Sequence, residues 1–572
     1  MLKLIRSFRA TWSFLSWAGR KSVFFYSFFL FISILLDGIG LWLISKATIA
    51  WLDKTSPAIE NNIANYAILG ITFLIARSIT VGLISYIGFR QLVKEEVRLA
   101  LSNYDSIQSL PLESAKELPL SIYYDITLQS PHVAVHTLII NSATIAINLI
   151  NILVIFTLLW SFDRSTAIGT LVYFSLLGMM QHFILTRTSS KIGEFKQHSF
   201  EQYQNDILTA FRFSKLFKVM KSNTFRKRLE DSRTATGLSL VNTKLIQLAP
   251  RLALEAGLVL GVIGLYLVGH FLGSSIENGT NIILFLLAGF RIIPILSFVQ
   301  SLYVSIVGEM AYLETESKVL SDDITLRIGA KIKADDTMFR NREVLQLKNV
   351  SYSYPNSTTN AVESVSISFC RGKIYAIAGL PGSGKSTLMD LCLGLLEPSS
   401  GTIRSSGKEL VLGYVPQDTD LFDGPISSNI ALEWSDDAVD SLAMSRTLDI
   451  ASKIDVLQGF ISENGNAKNL SGGQKQLICL LRALYRNPDI LFLDEATSSL
   501  DNSSDNQINE MLQSEKRNRA VIVIAHRLSS IKHADEIVFM DSGTVMATGT
   551  FDQIQENVKE FELLFQKHQD SW

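Results

Sequence analysis

The chain has 572 residues, 47% of them hydrophobic and 19% charged, a balance too apolar for a disordered chain or for an ordinary water-soluble one. At about 100 to 200 residues per domain, this length implies more than one domain. Lys and Arg number 52 against 54 Asp and Glu, so no global basic field points to nucleic acid as a partner. The three cysteines, Cys370, Cys392 and Cys479, all fall in the second half without metal-ligand spacing. Neither a disulfide framework nor a cysteine zinc site is indicated, and that half is expected in a reducing compartment.

Long apolar segments end near residue 310, and a mixed alternation of short strands and helices begins near Val344. The first half holds six runs of at least the roughly 20 residues needed to cross a bilayer, at about 22–48, 64–89, 133–160, 165–187, 249–272 and 281–308. The first run is too long for a cleaved leader and is expected to remain as a membrane helix. Lys3, Arg6, Arg9, Arg20 and Lys21 precede it, and Lys191, Lys196, Arg212, Lys215, Lys218, Lys221, Arg226, Lys227 and Arg228 follow the fourth run. The positive-inside bias therefore puts these stretches in the cytoplasm and the short connections near 50–62, 161–165 and 273–280 outside. The cytoplasmic connections, about 90–132 and 188–248, contain few Gly or Pro and read as helical continuations of the spans. Asp206 to Phe213, midway along the second, is the expected meeting point for a cytosolic domain.

In the second half, Gly379-Leu380-Pro381-Gly382-Ser383-Gly384-Lys385-Ser386-Thr387 follows the apolar run Ile374 to Ala378 and precedes the helical Leu388 to Leu391. Strand, glycine-rich loop and helix in this order make a P-loop. Its backbone N–H groups and helix N-terminus suit phosphates, Lys385 suits the β and γ phosphates of ATP, and the Ser386 hydroxyl suits Mg²⁺. A second apolar run, Ile490 to Leu493, ends in Asp494-Glu495. Beside a metal-bound triphosphate, these acids divide into metal support by Asp494 and polarisation of the attacking water by Glu495. Leu470-Ser471-Gly472-Gly473-Gln474 opens another helix and offers a second anion-binding N-terminus.

Together, LSGGQ, the P-loop and ILFLDE resemble the nucleotide-binding domain of ABC transporters over about 344–572. The resemblance implies further roles. Tyr354 corresponds to the aromatic that stacks on adenine, and Gln417 to the glutamine that senses Mg²⁺ and faces the membrane domain. Ser498-Ser499-Leu500-Asp501 corresponds to the D-loop, and His526 to the histidine that contacts the γ-phosphate. It also implies that Ser471, Gly472, Gly473, Gln474 and Asp501 of one subunit close over ATP held by another. One chain holds one set of motifs, so a homodimer is expected. The expected fold class is an all-α membrane domain of six transmembrane helices at 1–315, a linker at 316–343, and an α/β P-loop ATPase domain at 344–572. Two departures from the family pattern stand out: a short stretch between Gly401 and Gly413, and about two extra residues between Gly465 and Leu470.

Fused membrane and nucleotide domains in this order resemble exporters and flippases in a bacterial inner membrane. The cargo must be read from the spans: Arg77 lies midway along the second, Arg251 enters the fifth and Arg291 lies within the sixth, where a guanidinium costs about 2.5–3.5 kcal/mol at a helix centre and less near an end. Internal pairing is one account: Asp37 for Arg77, and Glu255, one turn on, for Arg251, with no evident partner for Arg291. The other is a cationic cavity for a lipid bearing phosphate or pyrophosphate, which guanidinium grips in bidentate fashion. Ala76-Arg77-Ser78, Pro250-Arg251-Leu252, Phe211-Arg212-Phe213 and Phe290-Arg291-Ile292 resemble places in bacterial lipid-linked oligosaccharide flippases. That resemblance implies a polyprenyl-pyrophosphate glycan as cargo. A peptide, another lipid or a hydrophobic toxin is the alternative cargo, and an ATP-gated regulator or channel the alternative of another class.

Overall fold

A computed structural model of the chain describes residues 2–52, 57–220, 223–272, 277–320, 333–334, 342–355, 357–406, 410–434, 439–452, 454, 467, 470–495, 502–525, 528–558 and 561. The chain divides into two units, one formed by 1–110 and 114–326, the other by 111–113 and 327–572.

After a short helix α1 (Leu2–Phe14), the first unit consists of long helices: α2 (Trp17–Leu52), α3 (Pro57–Gln108), α4 (Leu120–Phe162), α5 (Arg164–Arg212), α6 (Asn223–Leu272) and α7 (Glu277–Val319). All six are long and apolar enough to cross a membrane. Helices are the outcome physics allows here, because in hydrocarbon every backbone N–H and C=O must be satisfied within its own segment. At 1.5 Å per residue, 49 residues of α5 extend about 74 Å, more than twice the roughly 30 Å hydrocarbon thickness. The excess matches the helical continuation expected from residue 188 onward, whereas the other expected continuation, 90–132, is interrupted, since α3 ends at Gln108 and α4 begins at Leu120. One connection is a single residue: Asp163 separates α4 from α5, its Oδ2 accepting the Thr166 N–H at 2.6 Å as a helix cap. Two stretches of α4, Asp125–Gln129 and Val133–Ile140, are wound as π-helix, which periodicity does not reveal.

Close crossings and buried polar links hold the bundle together. At the α5–α7 crossing, a Cβ added to Gly193 would meet the Gly308 carbonyl oxygen at 2.2 Å, so only hydrogen lets the backbones approach. Further along, acids of α7 tie in its neighbours. Glu309 accepts from the Thr137 hydroxyl of α4 at 2.7 Å and lies 3.6 Å from Lys196 of α5. Glu316 accepts from Asn103 of α3 at 2.9 Å and from the Ser130 hydroxyl of α4. Near the turn after α5, buried Asp206 pairs with Arg228 of α6 at 2.8 Å, while Phe211 and Phe213 stay exposed. The region singled out between Asp206 and Phe213 thus combines an internal clamp with an uncovered apolar tip.

In the second unit a four-stranded sheet has the order β1-β5-β2-β3, from β1 (Lys333–Ala334), β2 (Glu343–Tyr352), β3 (Val362–Cys370) and β5 (Ser400–Ser405). A six-stranded sheet has the order β10-β9-β4-β8-β7-β6, from β4 (Ile374–Gly379), β6 (Leu412–Val415), β7 (Ile490–Asp494), β8 (Ala520–Ile524), β9 (Glu536–Asp541) and β10 (Thr544–Gly549). Strands β4, β6, β7, β8 and β9 pair in parallel, and their near-continuous apolar runs fit burial on both faces. This is the α/β domain expected from the strand–loop–helix pattern.

Gly193→Ala should lower the thermal stability of the purified protein, as overpacking of about 1–3 kcal/mol requires. Gly82→Ala is the control, since a Cβ there meets nothing within 4 Å; equal melting temperatures for the two variants would refute the close crossing.

Candidate ATP site and membrane cavity

The P-loop and the acidic pair, expected to handle phosphate, meet at one end of the parallel sheet. Register places Ile377 of β4 and Asp494 of β7 on either side of Ile524 of β8, so the P-loop and the acidic pair leave strands roughly 10 Å apart at the same end. The loop runs from Gly379 into α8 (Lys385–Cys392), with Gly384 as N-cap at φ 95°. Gly382 is also left-handed, at φ 82°, and a Cβ there would meet nothing within 4 Å. At Gly384, by contrast, a Cβ would lie 2.3 Å from the Ala361 carbonyl oxygen. One glycine therefore keeps the loop's outer side open and the other lets it sit against the backbone at Ala361.

Lys385 Nζ donates to the carbonyls of Gly379 and Leu380, each at 3.0 Å, and spans the loop. Burial pushes its ammonium below the ordinary lysine value, while the charges of Glu495 and Asp494 push it back up. The Ser383 hydroxyl is buried with no hydrogen-bond partner among the described residues. Ser386 is exposed beside it, whereas Thr387 is buried and its hydroxyl lies 3.1 Å from the Tyr354 hydroxyl. Tyr354, half-exposed and edge-on to Tyr352, is thereby tied to the P-loop helix.

Burial, then Glu495 and Asp390, raise the Asp494 carboxyl to about 6, against the pull of Lys385. An acid held in this way is a site short of positive charge. Glu495 has φ 49°, a region that non-glycine residues seldom occupy, and its Oε2 accepts from Gln417 Nε2 at 3.0 Å. Gln417 and Glu495 are thus brought together from 78 residues apart. Ser471 caps helix α9 (Gly472–Tyr485) in a reciprocal box: Gln474 N–H donates to its hydroxyl at 3.3 Å, and its own N–H donates to Gln474 Oε1 at 3.0 Å. Ser471 and Gly472 are exposed. Ser498, Ser499, Leu500, Asp501 and His526 lie outside the described residues, as does Gly465. Sequence reading missed Asp390, whose charge acts on Asp494; no motif spacing marks it.

In the membrane unit the three arginines separate. Arg251 is exposed on α6 and pairs with Glu255 one turn on, at 2.8 Å. Arg77 of α3 lies 3.7 Å from Asp37 of α2, and Arg291 of α7 binds the same Asp37 oxygen. The expectation that Arg291 has no internal partner is therefore corrected: α2 and α7 pack so that a carboxylate 254 positions away reaches it. Asp37 is 1% exposed. Two guanidinium groups around one carboxylate leave a net positive charge, and Asp37 Oδ2, Arg77 Nε and Arg291 Nε are buried without hydrogen-bond partners among the described residues. Arg77 also lines a cavity of about 340 Å³ with Tyr26, Ser33, Ser85, Asn148 and Phe298.

These features define a membrane protein with a P-loop nucleotide-binding domain of the kind that carries a signature helix. Residues 362–498, which carry the P-loop, the signature sequence and the acidic pair, match the family model described as "ABC transporter". A bacterial Atm1-family ABC exporter with ATP bound has the same fold, with a TM-score of 0.78 at 19% identity, over 96% of this chain and 98% of that one. The chain thus has the ABC-exporter fold, with membrane and nucleotide-binding domains fused. Among curated relatives, an ATP-dependent lipid A-core flippase of Photobacterium profundum is 36% identical over 227 residues, 37% of this chain and 38% of the relative. ABC transporter B family member 26, chloroplastic, of Arabidopsis thaliana is 42% identical over 232 residues, 37% of this chain and 32% of the relative. The matched part spans about two fifths or less of the length of these relatives.

Neutralising Asp494 removes a charge that the fold disfavours. Asp494→Asn should therefore raise the melting temperature in nucleotide-free, magnesium-free buffer at pH 8, where the wild-type carboxyl with a pKa of about 6 is ionised. A lower melting temperature would contradict the electrostatic reading.

Proposed function

We propose that the chain is an ATP-driven flippase or exporter of an amphipathic lipid with an anionic head group, working as a homodimer in a bacterial inner membrane. A lipid-linked polyprenyl-pyrophosphate oligosaccharide is the favoured cargo. The observation that carries this reading is the cluster of Arg77 and Arg291 around the single carboxylate of Asp37, beside a cavity with aromatic and polar walls. A phosphate or pyrophosphate would satisfy buried guanidinium N–H groups that the protein leaves unpaired. Aromatic Tyr26 and Phe298 suit the apolar part of the same molecule. The similarity to the Photobacterium lipid A-core flippase supports a lipid substrate class.

On the nucleotide side, Gly379 to Thr387 hold the phosphates, with Lys385 as counter-charge and Tyr354 positioned for the base. The open side of Gly382 and the unpartnered Ser383 hydroxyl fit such a ligand. Ser386, Gln417 and Asp494 are the residues that would hold Mg²⁺, which when bound neutralises phosphate charge. Glu495, oriented by Gln417, accepts a proton from the attacking water, and His526 is assigned to the γ-phosphate. Ser471, Gly472, Gly473 and Gln474 of a second copy, with its Asp501, complete the site across the dimer. The exposure of Ser471 and Gly472 supports that role. So does α3, whose most apolar window is only 6% buried within one chain and is left for lipid or a partner. Closure of the two nucleotide domains on ATP then favours one orientation of the cavity, and hydrolysis resets it.

Reconstitution in proteoliposomes tests the reading. ATP should drive movement of a polyprenyl-pyrophosphate oligosaccharide but not of a neutral lipid or a hydrophobic peptide. Glu495→Gln should retain ATP binding and lose turnover and movement. Arg77→Gln, which leaves Asp37 paired with Arg291, should raise the glycolipid concentration for half-maximal ATPase stimulation about tenfold or more, the worth of one charged hydrogen bond. Stimulation by peptide alone would favour the peptide exporter. Turnover without movement of any cargo would favour an ATP-gated regulator.

A further inference from the structure

A second cluster of chemistry-bearing side chains lies apart from Asp37 and its arginines. His132 and His136 stand four residues apart on α4, on either side of the start of the π-helical stretch Val133–Ile140. Their rings stack, with centroids 5.0 Å apart and planes at 26°. Glu96 of α3 faces both: Oε1 lies 3.3 Å from His132 Nδ1, and Oε2 lies 3.0 Å from His136 Nε2. One donor atom from each of the three residues falls within 4.8 Å of the others. We propose that Glu96, His132 and His136 form a binding site for a divalent transition-metal ion of the Zn²⁺, Co²⁺ or Ni²⁺ class.

Geometry and donor chemistry support this assignment together. An ion bound at about 2.0–2.1 Å in tetrahedral geometry sets its ligand atoms about 3.3–3.4 Å apart, close to the two carboxylate–imidazole separations found here. Two imidazoles and one carboxylate suit first-row transition metals, whereas Mg²⁺ and Ca²⁺ prefer oxygen throughout. Among the described residues, the ion-pair partners of Glu96 are these two imidazoles, so no Lys or Arg takes the place of the metal. The Glu96 and His136 side chains are 23% and 17% exposed, while His132 is 53% exposed. The site thus has an inner wall formed by two ligands and an open side where an ion can enter and a water can complete its shell. Glu96 sits on α3 beyond the expected span at 64–89, His132 just before the expected span at 133–160 and His136 in its first turn, so the donors lie at the edge of the apolar zone. π-helical turns recur at functional sites, and the wide turn here aligns residues 132 and 136 on one face. An ion held by all three residues would pin α3 to the start of α4.

The full-length, tag-free chain in lipid nanodiscs, stripped with a chelator, is titrated with Co²⁺ by absorbance and with Zn²⁺ by calorimetry. The expected result is saturable binding of one ion per chain, a Zn²⁺-dependent rise in melting temperature, and no competition by excess Mg²⁺. His136→Ala and Glu96→Gln should each weaken binding at least about tenfold, the scale on which even outer-shell partners act. The triple variant His132→Ala/His136→Ala/Glu96→Gln should bind no ion at this site while keeping its metal-free melting temperature near that of the parent. Binding undiminished in the triple variant, or no saturable binding by the parent chain, would overturn the assignment. Should the triple variant fold poorly, His132→Ala alone decides, because its side chain is half-exposed: unchanged Co²⁺ affinity would overturn the proposal.

Discussion

A carboxylate buried at 1% exposure in a helix bound for hydrocarbon exists as an anion only if cations meet it, and Asp37 meets two. Its helix, α2, is thereby linked to α3 through Arg77 and to α7 through Arg291. Removing either arginine changes the charge balance of the whole cluster, and removing Asp37 would leave two guanidinium groups facing each other. The same arithmetic that holds these helices together leaves a surplus of positive charge next to the cavity lined by Arg77. Structural pairing and the proposed anion recognition would therefore be two uses of one cluster.

In the nucleotide-binding unit the charge problem has the opposite sign. Asp494 feels the negative charges of Glu495 and Asp390 against the partly buried ammonium of Lys385. The fold tolerates this concentration of acid because neighbouring polar groups hold it in place. Gln417 donates to Glu495, and the left-handed backbone at Glu495 turns the chain sharply as it leaves the strand. Parallel strands β4, β8 and β7 deliver the P-loop and the acids to one end of the sheet. A site arranged in this way has its electrostatics set before a phosphate and its metal arrive.

Much of this was legible in the residue order because the information is local. Six apolar runs of sufficient length can only be helices in lipid, and the glycine spacing between Ala378 and Lys385 can only be a tight loop between strand and helix. Arg251 and Glu255, one turn apart, were also legible as a pair. The link from Arg291 to Asp37 was not, since no periodicity within α7 indicates which helix lies opposite. The π-helical stretches of α4 escaped for a related reason: an extra residue per turn changes the backbone pairing without disturbing the apolar composition of Val133 to Ile140. Glu96 is likewise separated by 36 and 40 residues from the two histidines it faces.

By itself, the sequence determined that this is a membrane protein joined to a P-loop domain, and where its glycine-rich loop lies, because length, hydropathy and motif chemistry act along the chain. Tertiary structure alone decided that one aspartate serves two arginines, that Gln417 reaches Glu495, and that Glu96 meets His132 and His136. Those outcomes depend on which helix faces and strand ends are packed together, and the energy of such contacts belongs to pairs of residues far apart in the chain.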